Sequence, residues 1–167
     1  HRLHLGAIGI NLKDEQGNIV PLKDIRNIRQ ELVLWDGTIQ SAYTAAGEKV
    51  EVITACMPNS DGIFARVNTP LLKKGQAAIF IRFPYPTGQH ADDAACWTEN
   101  DKHHTAIVAS DKQSATIAHT IDQTTYFVTL RWEGEASLSE AAPHYYILSS
   151  TEDVLAFCAE YSQKQNR

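Results

Sequence analysis

The sequence predicts an all-β protein: an antiparallel β-sandwich of the super-sandwich type, with about nine or more strands and one C-terminal helix. Three observations predict it. Apolar residues recur with period two along most of the chain, the pattern of half-buried strands. Turn-forming pairs such as Asp36-Gly37 and Ala46-Gly47 interrupt those runs at short intervals. Helix-capping residues ahead of a helical apolar stripe occur convincingly only once, at the end.

The elements follow in order. Residues 3–12 change apolar phase around Gly6 and Gly9, which predicts a bulge or burial on both faces. Residues 30–35 and 38–45 flank Asp36-Gly37, the two-residue signal of a hairpin with positive φ at its turn. Residues 49–57 continue the meander with Val50, Val52 and Thr54 on one face. Residues 58–62 are turn-like, and 63–67 form a further short strand. Leu71-Leu72-Lys73-Lys74 has room for a single helical turn. Ala77, Ile79, Ile81 and Phe83 then alternate with Ala78, Phe80 and Arg82. Residues 114–121 and 125–132 predict a second hairpin, with Tyr126, Val128, Leu130 and Trp132 on one face, and 144–148 a last strand. Ser150 or Thr151 would cap a helix over 150–167. Glu152 and Asp153 suit its dipole, and Val154, Leu155, Phe157, Cys158 and Tyr161 form its stripe before a polar, linker-like tail.

Composition narrows the function. With 167 residues, 43% hydrophobic and 21% charged, the chain suits one globular domain spanning 1–167. The net charge is −5 and the longest basic run is Lys73-Lys74, so the basic stripe needed to neutralise nucleic-acid phosphates is missing. No apolar run reaches the ~20 residues that span a bilayer, and no signal peptide is seen. Because the sequence starts at His1 rather than Met, it reads as a processed or excised piece of a larger chain. Cys56, Cys96 and Cys158 are odd in number and far apart. They form neither a disulfide framework nor a zinc pattern and read as free thiols in or near the core.

Residues 84–104 stand apart. This stretch has two prolines, one glycine, the acids Asp92, Asp93, Glu99 and Asp101, three histidines and Trp97, with no clear period; such loops are usually functional or disordered. His90, Asp92, Asp93, His103 and His104 include metal-ligand types, but their spacing matches no metal pattern, and no metal or other cofactor is expected. Trp97, among acids and amides, suits a sugar platform or a loop anchor. His119 lies within a strand beside Ala115, Ile117 and Ile121. It reads as a core histidine, or as one half of the His–Glu pair that a mutarotase-like isomerase would need. Trp35 and Trp132 read as core or sheet-edge aromatics. Phosphate loops, nucleophile elbows, zinc-protease helices and Cys-x-x-Cys pairs are absent, and no pair of carboxylates fit for glycoside hydrolysis can be named.

A set of motifs gives a more specific lead. Residues 1–9 (HRLHLGAIG), 28–37 (IRQELVLWDG), 50–58 (VEVITACMP), 82–85 (RFPY) and 121–126 (IDQTTY) occur in an order that covers nearly the whole chain. Together they resemble the N-terminal β-sandwich domain that precedes an (α/α)6-barrel in bacterial six-hairpin glycosidases, related in build to maltose-phosphorylase-like enzymes. The resemblance implies a non-catalytic domain that packs on a catalytic barrel of the same chain, with carbohydrate as ligand and a periplasmic or extracellular location. It places the catalytic acids in that barrel and none here. In the family an acidic residue directly precedes a Trp, with a His following. Here Ala94-Ala95-Cys96 separates Asp93 from Trp97, and Asp93, Trp97 and His104 are carried over as residues bordering the sugar pocket. The alternatives are a free-standing carbohydrate-binding module resting on Trp97 and a mutarotase-like isomerase resting on His119.

Overall fold

The computed structural model describes residues 3–89 and 93–165. Among them fourteen strands follow one another: β1 (Ala7–Leu12), β2 (Arg26–Val33), β3 (Thr38–Ala45), β4 (Glu48–Cys56), β5 (Gly62–Asn68), β6 (Ala77–Arg82), β7 (Tyr85–Pro86), β8 (Ala95–Cys96), β9 (His103–Ser110), β10 (Ser114–Ile121), β11 (Thr124–Trp132), β12 (Ala136–Ala142), β13 (Tyr145–Ser150) and β14 (Val154–Ser162). All pairings are antiparallel. Eight strands form one sheet in the order β2-β3-β4-β5-β14-β11-β10-β9, four form another in the order β1-β6-β13-β12, and β7-β8 is a two-residue ribbon.

Period two decides which side chains meet. Ile79 and Ile81 of β6 and Tyr146 and Leu148 of β13 share one buried cluster with Ile117, Val128, Leu130, Leu155 and Phe157 of the large sheet. The four-stranded sheet therefore lies over the middle of the eight-stranded one. The helical turn α1 (Pro70–Lys73) is capped by the Thr69 hydroxyl, which accepts from the Leu71 amide, and it drops Leu71 and Leu72 into the same core. Gly9 on β1 answers a close approach: a Cβ there would lie 2.5 Å from the Phe80 ring on the neighbouring strand.

Several expectations are corrected. The helix predicted over 150–167 is strand β14, hydrogen-bonded to β5 on one side and β11 on the other. Leu155, Phe157, Ala159 and Tyr161 carry a period of two, and the intervening Ala156 and Cys158 are small and apolar, so a helical stripe overlies the strand pattern. The residues read as a cap instead make the turn out of β13, where the Ser150 hydroxyl accepts from the Glu152 amide. At Asp36-Gly37 the connection has four residues, because Val33 pairs with Thr38 and the Asp36 and Gly37 amides both donate to the Val33 carbonyl. Gly37 takes φ 65° there, and Trp35 sits at the tip, 99% exposed, in neither core nor sheet edge. Besides the short ribbon β7-β8 within the stretch read as a loop, the strands β9 and β12 have no predicted counterpart. One begins inside the histidine-rich stretch, and the other is built from small residues with little apolar signal.

Candidate functional site

Three regions carry chemistry: the stretch around residues 84–104, a buried histidine cluster beneath it, and the outlying strands β2–β4. His90 and Asp92 lie outside the described residues. Asp93 folds back on its own segment: its carboxylate accepts from the Ala95 amide, and its carbonyl accepts from the Thr87 hydroxyl. Trp97 is half-buried. The Arg82 guanidinium lies 4.6 Å from the indole centroid and also donates to the Trp97 carbonyl, while the His4 ring meets the indole edge-on at 5.5 Å. One indole face is thus occupied by a cation of β6. His104 is exposed on β9 and pairs across to Thr120. It makes no hydrogen bond or ring contact with Trp97, so the structure brings Asp93 and Trp97 onto one loop and leaves His104 on an edge strand. The three thiols are unpaired and none is buried, which puts exposed Cys56 at the surface. The Thr98 hydroxyl beside Cys96 holds that thiol below its ordinary range. No group of His, Cys, Asp and Glu among the described residues is arranged to hold a metal ion.

His103 and His119 point inward from β9 and β10 and meet His144 from the turn before β13. Tyr126 donates its hydroxyl proton to the Leu5 carbonyl at 2.6 Å, so its oxygen accepts from His119 Nδ1 at 2.6 Å. His119 Nε2 must then accept from His103 Nδ1, 2.7 Å away. His144 stacks on His103 with ring centroids 3.7 Å apart and donates from Nε2 to the Asn100 carbonyl. Its Nδ1 lies 2.9 Å from the Thr105 hydroxyl, whose oxygen accepts from Tyr146. His103 and His119 are each held as one neutral tautomer. Burial, then repulsion from the neighbouring rings, pushes His119 down to about 3 and His103 to about 4. His119 is completely buried, with Tyr126 and His103 as its hydrogen-bond partners, so no solute reaches it. The arrangement is that of a satisfied core histidine.

Strand β2 and the ends of β3 and β4 near the 34–37 turn extend beyond the core, which the opposite ends of β3 and β4 join through Ala45 and Val50. The row Leu32-Ile39-Thr54-Ala65-Phe157-Trp132 crosses five pairings on one face. It is buried at Ala65, Phe157 and Trp132, yet Leu32 is 56% and Ile39 40% exposed. Ile28, Leu34 and Trp35 add further bare apolar surface. On the opposite face, Arg29-Ala42-Glu51-Asn68 and Glu31-Gln40-Ile53-Arg66 form two parallel rungs that line a trough of about 500 Å³. These residues are the polar phase of their strands. The sequence shows that phase, but it cannot show that four strands align it into one surface.

No family model matches the chain, and no curated protein matches it. Among solved structures, a protein described as "Putative kojibiose phosphorylase from human microbiome" shares the fold with a TM-score of 0.59 at 11% identity. The match covers 94% of this chain and 22% of that one, so this chain spans less than a quarter of its structural neighbour.

Proposed function

We propose that this chain is a non-catalytic accessory domain of a bacterial glycoside-active enzyme of the six-hairpin type, packing as a super-sandwich against an (α/α)6 catalytic barrel and bordering its sugar pocket. The observation that carries the reading is the fold likeness along nearly all of this chain to one portion of a much longer carbohydrate-active neighbour. The bare apolar row of β2 and β3 supports it, because a surface of Ile28, Leu32, Leu34, Trp35 and Ile39 suits contact with another polypeptide better than contact with water. On this reading the loop carrying Asp93 and Trp97, and His104 at the sheet edge, lie toward the pocket. Catalytic acids belong to the barrel, and the enzyme works outside the cytoplasm.

The test is to read the coding sequence beyond Arg167, then assay α-linked disaccharides with and without phosphate. The expected outcome is turnover by the product that includes the downstream barrel and none by residues 1–167 alone. Turnover by this chain by itself would overturn the reading, as would a gene that encodes no helical domain after it.

A further inference from the structure

The trough on the outer face of β2–β5 carries a charge pattern that points to a ligand. Its charged side chains are Arg29, Lys49 and Arg66 against Glu31 and Glu51, one positive charge in excess on a chain of net charge −5. Glu31 is held by Arg29 at 2.8 Å. Glu51 is held by Lys49 at 2.6 Å and also accepts from the Asn68 amide. Arg66 has no ion pair among the described residues. Its neighbours across the sheet on the same face are Ile53 and Ala156, neither of which can accept a hydrogen bond from it. The next side chain along β5 on that face is Phe64, and both Phe64 and Ile53 are partly exposed. Gln40, one strand beyond Ile53, is exposed and without a side-chain partner among the described residues. The guanidinium is a planar fork of five donors matched to carboxylate and phosphate oxygens. Here the exposed arginine lies between Ile53 and Ala156 across the sheet, and shares the trough with Gln40, Asn68 and the two ion pairs. From β2 to β5 is three strand spacings, about 14 Å, room for one or two sugar rings.

We propose that this trough binds an anionic sugar, a pyranose bearing one carboxylate or one phosphate. Arg66 pairs with the acid group, Ile53 lies under the C–H face of the ring, and Gln40, Asn68 and Arg29 hydrogen-bond its hydroxyls. The site is separate from the loop that carries Trp97. The proposal goes beyond the accessory role and does not depend on it: binding is read without turnover, so failure of the glycosidase assay leaves this site standing, and the reverse also holds.

The experiment is titration of the isotope-labelled protein, followed by backbone amide resonances, with D-glucuronate, glucose 1-phosphate, maltose and inorganic phosphate. The expected result is saturable shifts at residues 29–31, 40–42, 51–53 and 66–68 with at least one acidic sugar, and at least roughly tenfold weaker binding of maltose and of phosphate alone. A response to glucuronate alone identifies the carboxylate as the recognised group, to glucose 1-phosphate alone the phosphate, and to both, either acid. Arg66→Gln should weaken acidic-sugar binding about tenfold or more, and Arg66→Lys, which keeps charge and loses the fork, should fall between. Arg66 is exposed and unpaired, so both variants should keep the wild-type melting curve. Shifts located elsewhere, maltose or phosphate binding as tightly as the acidic sugars, no response to either acid, or unchanged binding in Arg66→Gln would each overturn the proposal.

Discussion

The large sheet is two different objects along its width. Strands β5, β14, β11 and β10 lie under the four-stranded sheet, and their inward residues, from Val67 and Leu155 to Val128 and Ile117, are fully or nearly fully buried. Strand β2 and the start of β3 continue the same ladder and the same alternation beyond that cover, where Ile28, Leu32 and Ile39 stay exposed, while the far end of β3 returns to the core at Tyr43 and Ala45. The ladder runs through both halves, broken in the outlying one only by the slip between Arg26 and Arg29. The difference therefore shows that backbone pairing extends a sheet, whereas burial against a second layer is what stabilises it. The covered half is a store of stability, and the outlying half is a display surface.

That contrast can be broken by experiment. The largest expected effect is a paired truncation. Leu130→Ala, in the covered half, should cost about 2–5 kcal/mol, while Leu32→Ala, in the outlying half, should stay within about 0.5 kcal/mol. Urea unfolding curves decide, and equal losses would erase the distinction. Next is pH. His103 and His119 are held below the ordinary histidine value of 6.5, so above that pH neither the folded nor the unfolded state takes up protons at them. As pH falls below 6.5 the unfolded chain binds protons that the folded relay refuses. Stability is lost by up to ~1.4 kcal/mol per pH unit per imidazole, until His103 itself protonates near 4. Melting temperature should accordingly be flat from pH 7 to 8 and fall between 6.5 and 4.5; a flat profile through that window would contradict the neutral relay. Tyr126→Phe comes third. It leaves the Leu5 carbonyl and His119 Nδ1 unsatisfied and should cost about 1–3 kcal/mol by the same unfolding curves. The smallest stability effect belongs to Trp35→Ser, within about 0.5 kcal/mol. Sedimentation should nonetheless detect reduced self-association of the protein, and no change in association would argue against a sticky outlying half.

Strand positions with clean alternation were legible in the sequence. Residues 38–45 and 114–121 coincide with β3 and β10, because each alternates and is bounded by turn chemistry. β14 was misread because a strand buried in the sheet centre is apolar on both faces, and such a run also satisfies a helical stripe. The exposure of Trp35 was illegible for another reason. Alternation tells which side chains share a face but not how far the covering sheet reaches. The histidine relay was half legible: His119 read as a core residue, yet its partners His103 and His144 come from segments far apart in sequence, one of them a turn where His144 takes φ 61°. The trough needs the register of four strands at once, and no single motif encodes register.

The outermost strand has one more consequence. Between Arg26 and Arg29 the pairing of β2 with β3 slips, Asn27 turns to φ 54°, and Arg26, Arg29 and Glu31 line the strand. At the far side of the sheet β9 is likewise irregular, with Val108 skipped in its pairing to β10. The kink on both borders, and the charges on β2, deny another strand a straight row of amides and carbonyls to zip onto. Bare isoleucine, leucine and tryptophan thus lie beside an edge strand, β2, that is a poor template for strand addition, so a partner meeting that surface lies across its face rather than extending its ladder.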